Sequence, residues 1–177
     1  RLPCPVDARQ VAVFHAFLGD SPLSRTRNIP EFRPVAEELI AAANRAVDKL
    51  GPLAARSVSV HPCVVDLRPG HILFEGDRVT GIVDYGAMAV DSPAVDLARL
   101  FGELGGSEWL RVGLDAYRDA GGMLDVPAGF VELLARTGPI AAACAWVARL
   151  ADSPRPQNLS ARLSALASVI ARPPDVG

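Results

Sequence analysis

One stretch of this chain, residues 60–86, constrains its fold more than any other. It reads as a strand, a polar loop and two strands joined by a tight turn at Glu75–Asp77. An aspartate stands where each of two apolar strands ends, Asp66 and Asp84, and the short hairpin between them fixes their separation. Because strand ends are rigid and the loops beyond them can reach a ligand, these two carboxylates are candidates for a functional site.

The order of polar residues in this stretch is typical of sites for phosphoryl transfer. Asp66 opens a loop, His71 follows five residues later, and Asp84 precedes an aromatic residue and a glycine. In kinases the aspartate that opens such a loop accepts the hydroxyl proton, while a loop residue and the aspartate of an Asp-aromatic-Gly motif hold magnesium. The stretch therefore predicts kinase-type chemistry, in which positioning and electrostatics supply most of the rate.

A longer run of motifs carries a family resemblance. The run is Asp66-Leu-Arg-Pro-Gly-His71-Ile-Leu, then a hairpin, then Ile82-Val-Asp84-Tyr-Gly, and finally Asp91-Ser-Pro-Ala-Val-Asp96-Leu-Ala. In the same order, these motifs resemble those of the aminoglycoside phosphotransferase and choline kinase family. The resemblance implies the C-terminal lobe of a kinase-like fold, and transfer of the γ-phosphoryl group of ATP to a hydroxyl of a small molecule.

The resemblance also implies roles for individual residues. Asp66 would be the catalytic base, and Asp84 would hold Mg²⁺ against the phosphates of ATP, with His71 as a possible second metal ligand. Asp96 would accept hydrogen bonds from the backbone of the catalytic loop and so hold Asp66 in place. Arg68, within the loop, could contact a phosphate or an acidic substrate, although a solvated arginine explains it equally well.

Two positions depart from the family pattern. Val64 stands where the family has a histidine that supports the loop, and His71 stands where it has a metal-binding asparagine. A valine can pack in the same space, but imidazole suits zinc, manganese or iron better than magnesium. Three interpretations of His71 stay open: a tolerated replacement in a working site, a structural loop histidine, or loss of the second metal position.

Composition limits the class of protein. The chain has 177 residues, half of them apolar, and a net charge of −2, which predicts a single soluble domain, 1–177, without general affinity for nucleic acid. No apolar run approaches the roughly 20 residues of a membrane span, and no signal peptide is visible, so we expect no membrane partner. The three cysteines are odd in number and widely spaced, which favours a reducing, cytoplasmic location.

Apolar periodicity and helix-end signals predict an α+β domain that is mostly helical. The catalytic-loop core is expected at about 57–104, and a helical subdomain that would wall the acceptor pocket at about 107–172. Gly51, Gly105–Gly106 and Gly121–Gly122 are each expected to end a helix, and Gly138–Pro139 to interrupt another. The predicted helices cover about 7–18, 34–50, 93–104, 107–120, 127–150 and 159–170, with a loop from Gly19 to Pro34. The second of these helices should bury one apolar face, formed by Val35, Leu39, Ala42, Ala46 and Leu50.

Signals of a nucleotide-binding lobe are not apparent in the sequence. Kinase chemistry uses a lysine and a glycine-rich loop from an N-terminal β-lobe, yet the only lysine, Lys49, lies in a predicted helix. We therefore expect that the N-terminal lobe is missing and that this chain alone binds ATP weakly. The rival hypothesis is a non-catalytic, pseudokinase-like binding module. A metal-dependent hydrolase that uses His61 and His71 is a third possibility.

Overall fold

The computed structural model describes residues 2–19, 32–54 and 56–151, together with residues 161, 164, 165 and 167. Over this part of the chain the protein is α+β and mostly helical, as predicted. The loop expected from Gly19 to Pro34 falls for the most part on residues 20–31, outside the described residues, whereas Gly19 is the last residue of the first helix and Pro34 lies in the second. Most of the helix expected at 159–170 also lies outside the described residues.

Long helices form most of the described structure. They are α1 (Pro5–Gly19), α2 (Arg33–Ala54), α3 (Ala94–Leu104), α4 (Gly106–Asp119) and α5 (Ala128–Ala151). The apolar positions predicted to share one face of α2 are all buried: Val35, Leu39, Ala42, Ala46 and Leu50. The helix is therefore amphipathic, and burial of this face is what stabilises it.

Short antiparallel ladders join the described strands in pairs. β1 (Leu2–Pro3) pairs with β2 (Ser57–Val58), β3 (His61–Cys63) pairs with β6 (Ala89–Asp91), and β4 (Ile72–Glu75) pairs with β5 (Arg78–Ile82). In the β3–β6 ladder Cys63 lies opposite Ala89. The loop at 64–71 therefore begins at this small sheet, and the loop at 83–88 ends at it.

The β4–β5 hairpin sets the position of the residues on either side of it. Gly76 takes the left-handed conformation at the turn, with φ of 58°, which glycine adopts without a steric cost. Ile72 lies opposite Ile82, and the pairing continues by one step because the Val83 N–H donates to the His71 carbonyl at 2.9 Å. His71 is thus held opposite Val83, the residue immediately before Asp84.

Two of the predicted helix boundaries are wrong. α2 continues through Gly51 to Ala54, and α5 runs unbroken through Gly138–Pro139. Neither glycine takes the positive φ that ends a helix. A proline inside a helix costs about 3 kcal/mol because it removes one backbone hydrogen bond. In α5 the burial of Cys144 and Val147, which follow the proline, outweighs that cost.

The glycines predicted to end α3 and α4 do so. Gly105 and Gly121 have φ of 98° and 83°. After α4 the Gly122 N–H donates to the Tyr117 carbonyl at 2.8 Å, which satisfies a backbone acceptor that the helix end would otherwise leave open. The two helices therefore end at Leu104 and Asp119.

The chain divides into two compact units. Unit 1 comprises Arg1–Val6 and Ala54–Arg136, and unit 2 comprises Asp7–Leu53 and Thr137–Gly177. All the described strands belong to unit 1, together with α3 and α4. There the Phe101 ring of α3 packs so closely on Gly113 of α4 that a Cβ at this glycine would lie 2.4 Å from ring carbons. The expectation of one domain with its two subdomains stays a prediction.

Unit 2 has its own buried residues. Its buried residues include three phenylalanines from the N-terminal part of the chain, Phe14, Phe17 and Phe32. The Thr137 hydroxyl, also buried, donates to the Gln10 side-chain oxygen at 2.8 Å, so its polar group is satisfied.

One described helical segment, Ala128–Arg149 within α5, is long and apolar enough to cross a membrane by length and composition, with a mean hydropathy of 1.3. Core helices of soluble proteins pass the same test. Val131, Cys144 and Val147 in this segment are fully buried within the chain itself.

Candidate active site

A strained loop follows β3, and Asp96 holds it. Val65 has φ of 68°, a left-handed conformation that costs a β-branched residue about 1–2 kcal/mol. The Asp96 carboxylate, in the first turn of α3, accepts hydrogen bonds from the backbone N–H groups of Val64 at 2.9 Å and Val65 at 2.6 Å. These two bonds stabilise the loop in the conformation that leads directly into Asp66.

Burial raises the pKa of Asp96 above its usual value, and the nearby Asp91 adds to the rise. The hydrogen bonds from Val64 and Val65 act in the opposite direction, because they favour the ionised carboxylate. A partly buried carboxylate is retained here because it satisfies two loop N–H groups at once. This contact is the one that the family pattern implies for Asp96; its contribution to catalysis stays a prediction.

Two arginines bind one oxygen of Asp66. Nε of Arg68 and Nε of Arg99 each lie 2.9 Å from Oδ1 of Asp66. Among the described residues none donates a hydrogen bond to the other oxygen, Oδ2. The Asp66 side chain as a whole is 38% exposed. The carboxylate is therefore oriented through one oxygen, and the other receives no hydrogen bond from the described residues.

These contacts also set the charge of Asp66. Burial raises the pKa of its carboxyl group, but the hydrogen bonds and charges of Arg68 and Arg99 together outweigh burial and lower the pKa below its usual value. Asp66 is consequently ionised at neutral pH. An ionised carboxylate accepts a hydrogen bond from a hydroxyl and orients it, which is what the aspartate of a kinase catalytic loop does.

Glu103 balances the two arginines. Its Oε1 lies 3.3 Å from Nη2 of Arg99 and 3.8 Å from Nε of Arg68. Asp66, Glu103 and the two arginines therefore form a cluster of two negative and two positive charges. The hydrogen bond to Asp66 raises the pKa of Arg68, burial opposes the rise, and the charges of Glu103 and Asp84 contribute to it. Arg68 therefore lies in the electrostatic field of both candidate catalytic aspartates.

His71 connects the two aspartate-bearing loops. Its Nδ1 lies 2.9 Å from the backbone oxygen of Asp66, and its Nε2 lies 3.8 Å from Oδ2 of Asp84. The first contact is a hydrogen bond, whereas the second is too long to be one. The His71 side chain is mostly covered, at 19% exposed, while that of Asp84 is 64% exposed. His71 thus contacts both loops that carry the predicted site residues Asp66 and Asp84, and all three residues belong to unit 1.

Asp84 reaches this position through an unusual backbone conformation. It follows β5 with φ of 64°, in the left-handed region that aspartate tolerates better than most residues. Two residues later a Cβ at Gly86 would lie 3.5 Å from Oδ1 of Asp84, in ordinary contact. The turn continues with the Met88 N–H donating to the Tyr85 carbonyl at 3.1 Å, and the chain then enters β6.

The contacts of Arg99 and Glu103 with the loop that carries Asp66 were not predicted from the sequence. A signal was present, because Asp96, Arg99 and Glu103 follow one another at intervals of three and four residues in α3. Side chains at this spacing share one helix face. Since Asp96 was expected to face the loop, the same face should have presented Arg99 and Glu103 to Asp66.

The structure does not support a metal site built from His61, Cys63 and His71. Among the described residues no group of three or more His, Cys, Asp or Glu side chains is placed to hold a metal ion. The Cys63 thiol is buried and donates instead to the backbone oxygens of His61 and Asp91. The described residues therefore give no support to a metal-dependent hydrolase that uses His61 and His71.

Comparison with known protein families gives a match. The model of the phosphotransferase enzyme family matches residues 14–132, about two thirds of the chain, and this segment contains every candidate residue of the site. The chain belongs to the phosphotransferase enzyme family, and the resemblance to aminoglycoside phosphotransferases and choline kinases is thereby confirmed. No curated protein and no solved structure matches the chain.

Proposed function

We propose that this chain carries the catalytic loop and metal site of an ATP-dependent phosphotransferase that acts on a hydroxyl group of a small molecule. Membership of the family supports phosphotransferase activity on small molecules. The observation that carries the proposal is the contact of His71 with both loops, through its Nδ1 with the Asp66 backbone oxygen and through its Nε2 with Oδ2 of Asp84.

In this proposal Asp66 orients the acceptor. Its Oδ1 is held by Arg68 and Arg99, and its Oδ2 accepts the hydrogen bond of the substrate hydroxyl. The lowered pKa of Asp66 makes it a weak base, so it takes the proton late, when the oxygen has begun to bond to phosphorus. Asp96 keeps Asp66 in place through Val64 and Val65, and Arg68 is close enough to attract a phosphate.

The family implies Mg²⁺ as the ion at this site. The Asp84 carboxylate fits a hard cation, whereas the imidazole of His71 is not a ligand that magnesium prefers. A divalent cation bound by these two residues would neutralise phosphate charge during transfer. The protein would determine where that cation lies, because the hairpin register fixes His71 and Asp84 on neighbouring strand ends.

We further propose that the described strands and helices α3 and α4 correspond to the C-terminal lobe of a kinase-like fold. Exposed apolar side chains on the β4–β5 hairpin support a covering lobe that binds nucleotide, which would belong to the same polypeptide: Leu73 is 47% exposed, Phe74 60% and Val79 53%. The three cysteines, Cys4, Cys63 and Cys144, are buried thiols that form no disulfide with one another, which supports a cytoplasmic location.

A pseudokinase-like binding module is the second candidate. The ion pairs of Asp66 with two arginines favour it, since they lower the proton affinity of the proposed base. A carboxylate so firmly paired can serve structure without catalysing any reaction.

ATP turnover separates the two functions. The chain, and the longest natural polypeptide that contains it, are incubated with millimolar ATP, Mg²⁺ or Mn²⁺ and a panel of small-molecule alcohols, and phosphorylated product is measured. The enzyme predicts transfer that is lost in Asp66→Asn and in Asp84→Asn. Asp77→Asn, the same change in the exposed hairpin turn, is the control and should retain activity. Nucleotide binding without transfer, unchanged in Asp84→Asn, would establish the binding module instead.

A further inference from the structure

We propose that the site formed by His71 and Asp84 binds Mn²⁺, or a transition-metal dication of similar ligand preference, in preference to Mg²⁺. This inference rests on the proposed function, since it names the ion of the same site. It departs from the family pattern, which places an amide oxygen where this chain has an imidazole nitrogen.

The hydrogen bond of His71 to the loop determines which ring nitrogen is available. Nδ1 lies 2.9 Å from the Asp66 backbone oxygen, and a carbonyl oxygen only accepts hydrogen bonds. Nδ1 must therefore carry a proton, and in the neutral ring the lone pair is on Nε2. Histidines that bind metals usually donate their other ring N–H to a carbonyl or carboxylate in this way, because the bond orients the ring.

The available nitrogen, Nε2 of His71, lies near the Asp84 carboxylate, at a distance that a shared cation can bridge. Nε2 and Oδ2 are 3.8 Å apart, which is too long for a hydrogen bond. Two ligand atoms, each about 2.1 Å from a shared metal ion, can be at most about 4.2 Å apart. The observed 3.8 Å lies between the roughly 3.0 Å of two adjacent ligands and the roughly 4.2 Å of two opposite ligands of a six-coordinate ion, so a small movement of the two side chains would let one ion contact both atoms.

The chemistry of the two donors then selects the ion. Magnesium prefers a shell of oxygen atoms, whereas imidazole nitrogen suits transition-metal dications. Manganese is the dication of that series that also takes the carboxylate and phosphate oxygens of this site. Among the described residues no third His, Cys, Asp or Glu side chain joins this pair as a ligand, so water and phosphate oxygens would complete the shell. Because one of the two protein donors is a nitrogen, its preference weighs heavily in the choice of metal.

Direct binding measurements test the inference without an assay of turnover. The loss of the electron paramagnetic resonance signal of free Mn²⁺ gives its affinity for the chain, and competition with Mg²⁺ gives the preference between the ions. Electron spin echo modulation then reports whether an imidazole nitrogen is bonded to the manganese. The variants are His71→Asn, which restores the family residue, Asp84→Asn, and the control His61→Asn, an exposed histidine on β3.

We expect Mn²⁺ bound to the chain to show imidazole coupling. In His71→Asn the coupling should vanish, and the preference for Mn²⁺ over Mg²⁺ should fall by on the order of 10- to 100-fold. His61→Asn should change neither. Manganese that is released in Asp84→Asn but shows no imidazole coupling in the unaltered chain would overturn this inference and leave the phosphotransferase proposal intact. Failure of both ions to bind in any way that depends on Asp84 would overturn both.

Discussion

Nε of Arg99 donates a hydrogen bond to Oδ1 of Asp66 at 2.9 Å, although the two residues are 33 positions apart in the chain. Arg99 belongs to α3 and Asp66 to the loop after β3, so this bond, like those of Asp96, ties the loop to the helix. Arg68 makes the same bond from within the loop. Arginines on two different segments thus orient the Asp66 carboxylate and lower its pKa.

Replacing Arg99 by Met should lower kcat by about 10- to 100-fold, because Asp66 loses one of the two groups that orient it. The KM for ATP should change little. The loss of a positive charge should raise the pKa of Asp66, so the acidic limb of the pH–rate profile should move to higher pH. Steady-state kinetics across pH would measure both effects.

Arg111→Met removes the same charge from an exposed position on α4 and serves as the control. Arg99→Lys keeps the charge and should recover part of the rate. An Arg99→Met enzyme with an unaltered pH–rate profile would show that this arginine does not act through Asp66.

Replacing Asp96 by Asn should destabilise the fold by about 1–3 kcal/mol. The amide has one acceptor oxygen, so it cannot satisfy the N–H groups of both Val64 and Val65 as the carboxylate does. Urea denaturation would measure the free energy of unfolding. Asp115→Asn, which breaks an exposed ion pair with Arg118 on α4, should change it by less than about 1 kcal/mol. Equal effects of the two substitutions would rule out a special role for Asp96 in holding the loop.

The stability conferred by Asp66 should depend on pH. Because its pKa in the folded protein is below the ordinary value of 3.8, its ion pairs stabilise the fold above that pH and lose their effect as the pH falls through the lower, folded value. The difference in unfolding free energy between the unaltered chain and Asp66→Asn should therefore shrink below about pH 4. A difference that grows on acidification would contradict the ion pairs of Asp66.

Asp96 should show the opposite dependence. Its pKa is raised in the folded protein, so protonation is favoured by folding, and the stabilisation that this provides is complete below 3.8 and lost as the pH rises through the folded pKa. Measured against Asp96→Asn, the unaltered chain should lose stability as the pH rises through that range. The opposite slopes for Asp66 and Asp96 would separate the two carboxylates in one set of denaturation curves.

Gly113→Ala should destabilise unit 1 by about 1–3 kcal/mol, because the added methyl group would overlap the Phe101 ring. Phe101→Leu removes part of that ring and should make the Gly113→Ala change less costly when the two are combined. A double-mutant cycle in urea would measure the coupling. Strictly additive effects would show that α3 and α4 do not approach each other at this pair.

Local patterns in the sequence were sufficient to predict much of this structure. The apolar stripe of α2 and the glycine ends of α3 and α4 follow from periodicity and from the φ that glycine permits. The hairpin that separates Asp66 from Asp84 follows from alternation and from its Gly76 turn. Each of these features depends on residues that are neighbours in the sequence, so the sequence carries a complete signal for it.

Features that depend on distant parts of the chain were harder to predict. The continuation of α5 through Pro139 depends on burial that periodicity alone cannot supply. The bond of Arg99 to Asp66 depends on where α3 packs, and the exchange of asparagine for histidine at position 71 takes its meaning from the contact of that ring with Asp84. The sequence pointed to His71 and Asp84 without showing that they contact each other, and it did not point to Arg99.

The central claim is that Asp66 and Asp84 act in one phosphoryl-transfer site. The most direct measurement compares the rate of γ-phosphoryl transfer from ATP in Asp66→Asn, in Asp84→Asn and in the double variant. We predict that each single change lowers kcat by about 100-fold or more and that the double variant is no slower than the slower single variant, because residues that act as one unit are not additive. A single variant that transfers phosphate at the unaltered rate would contradict the claim.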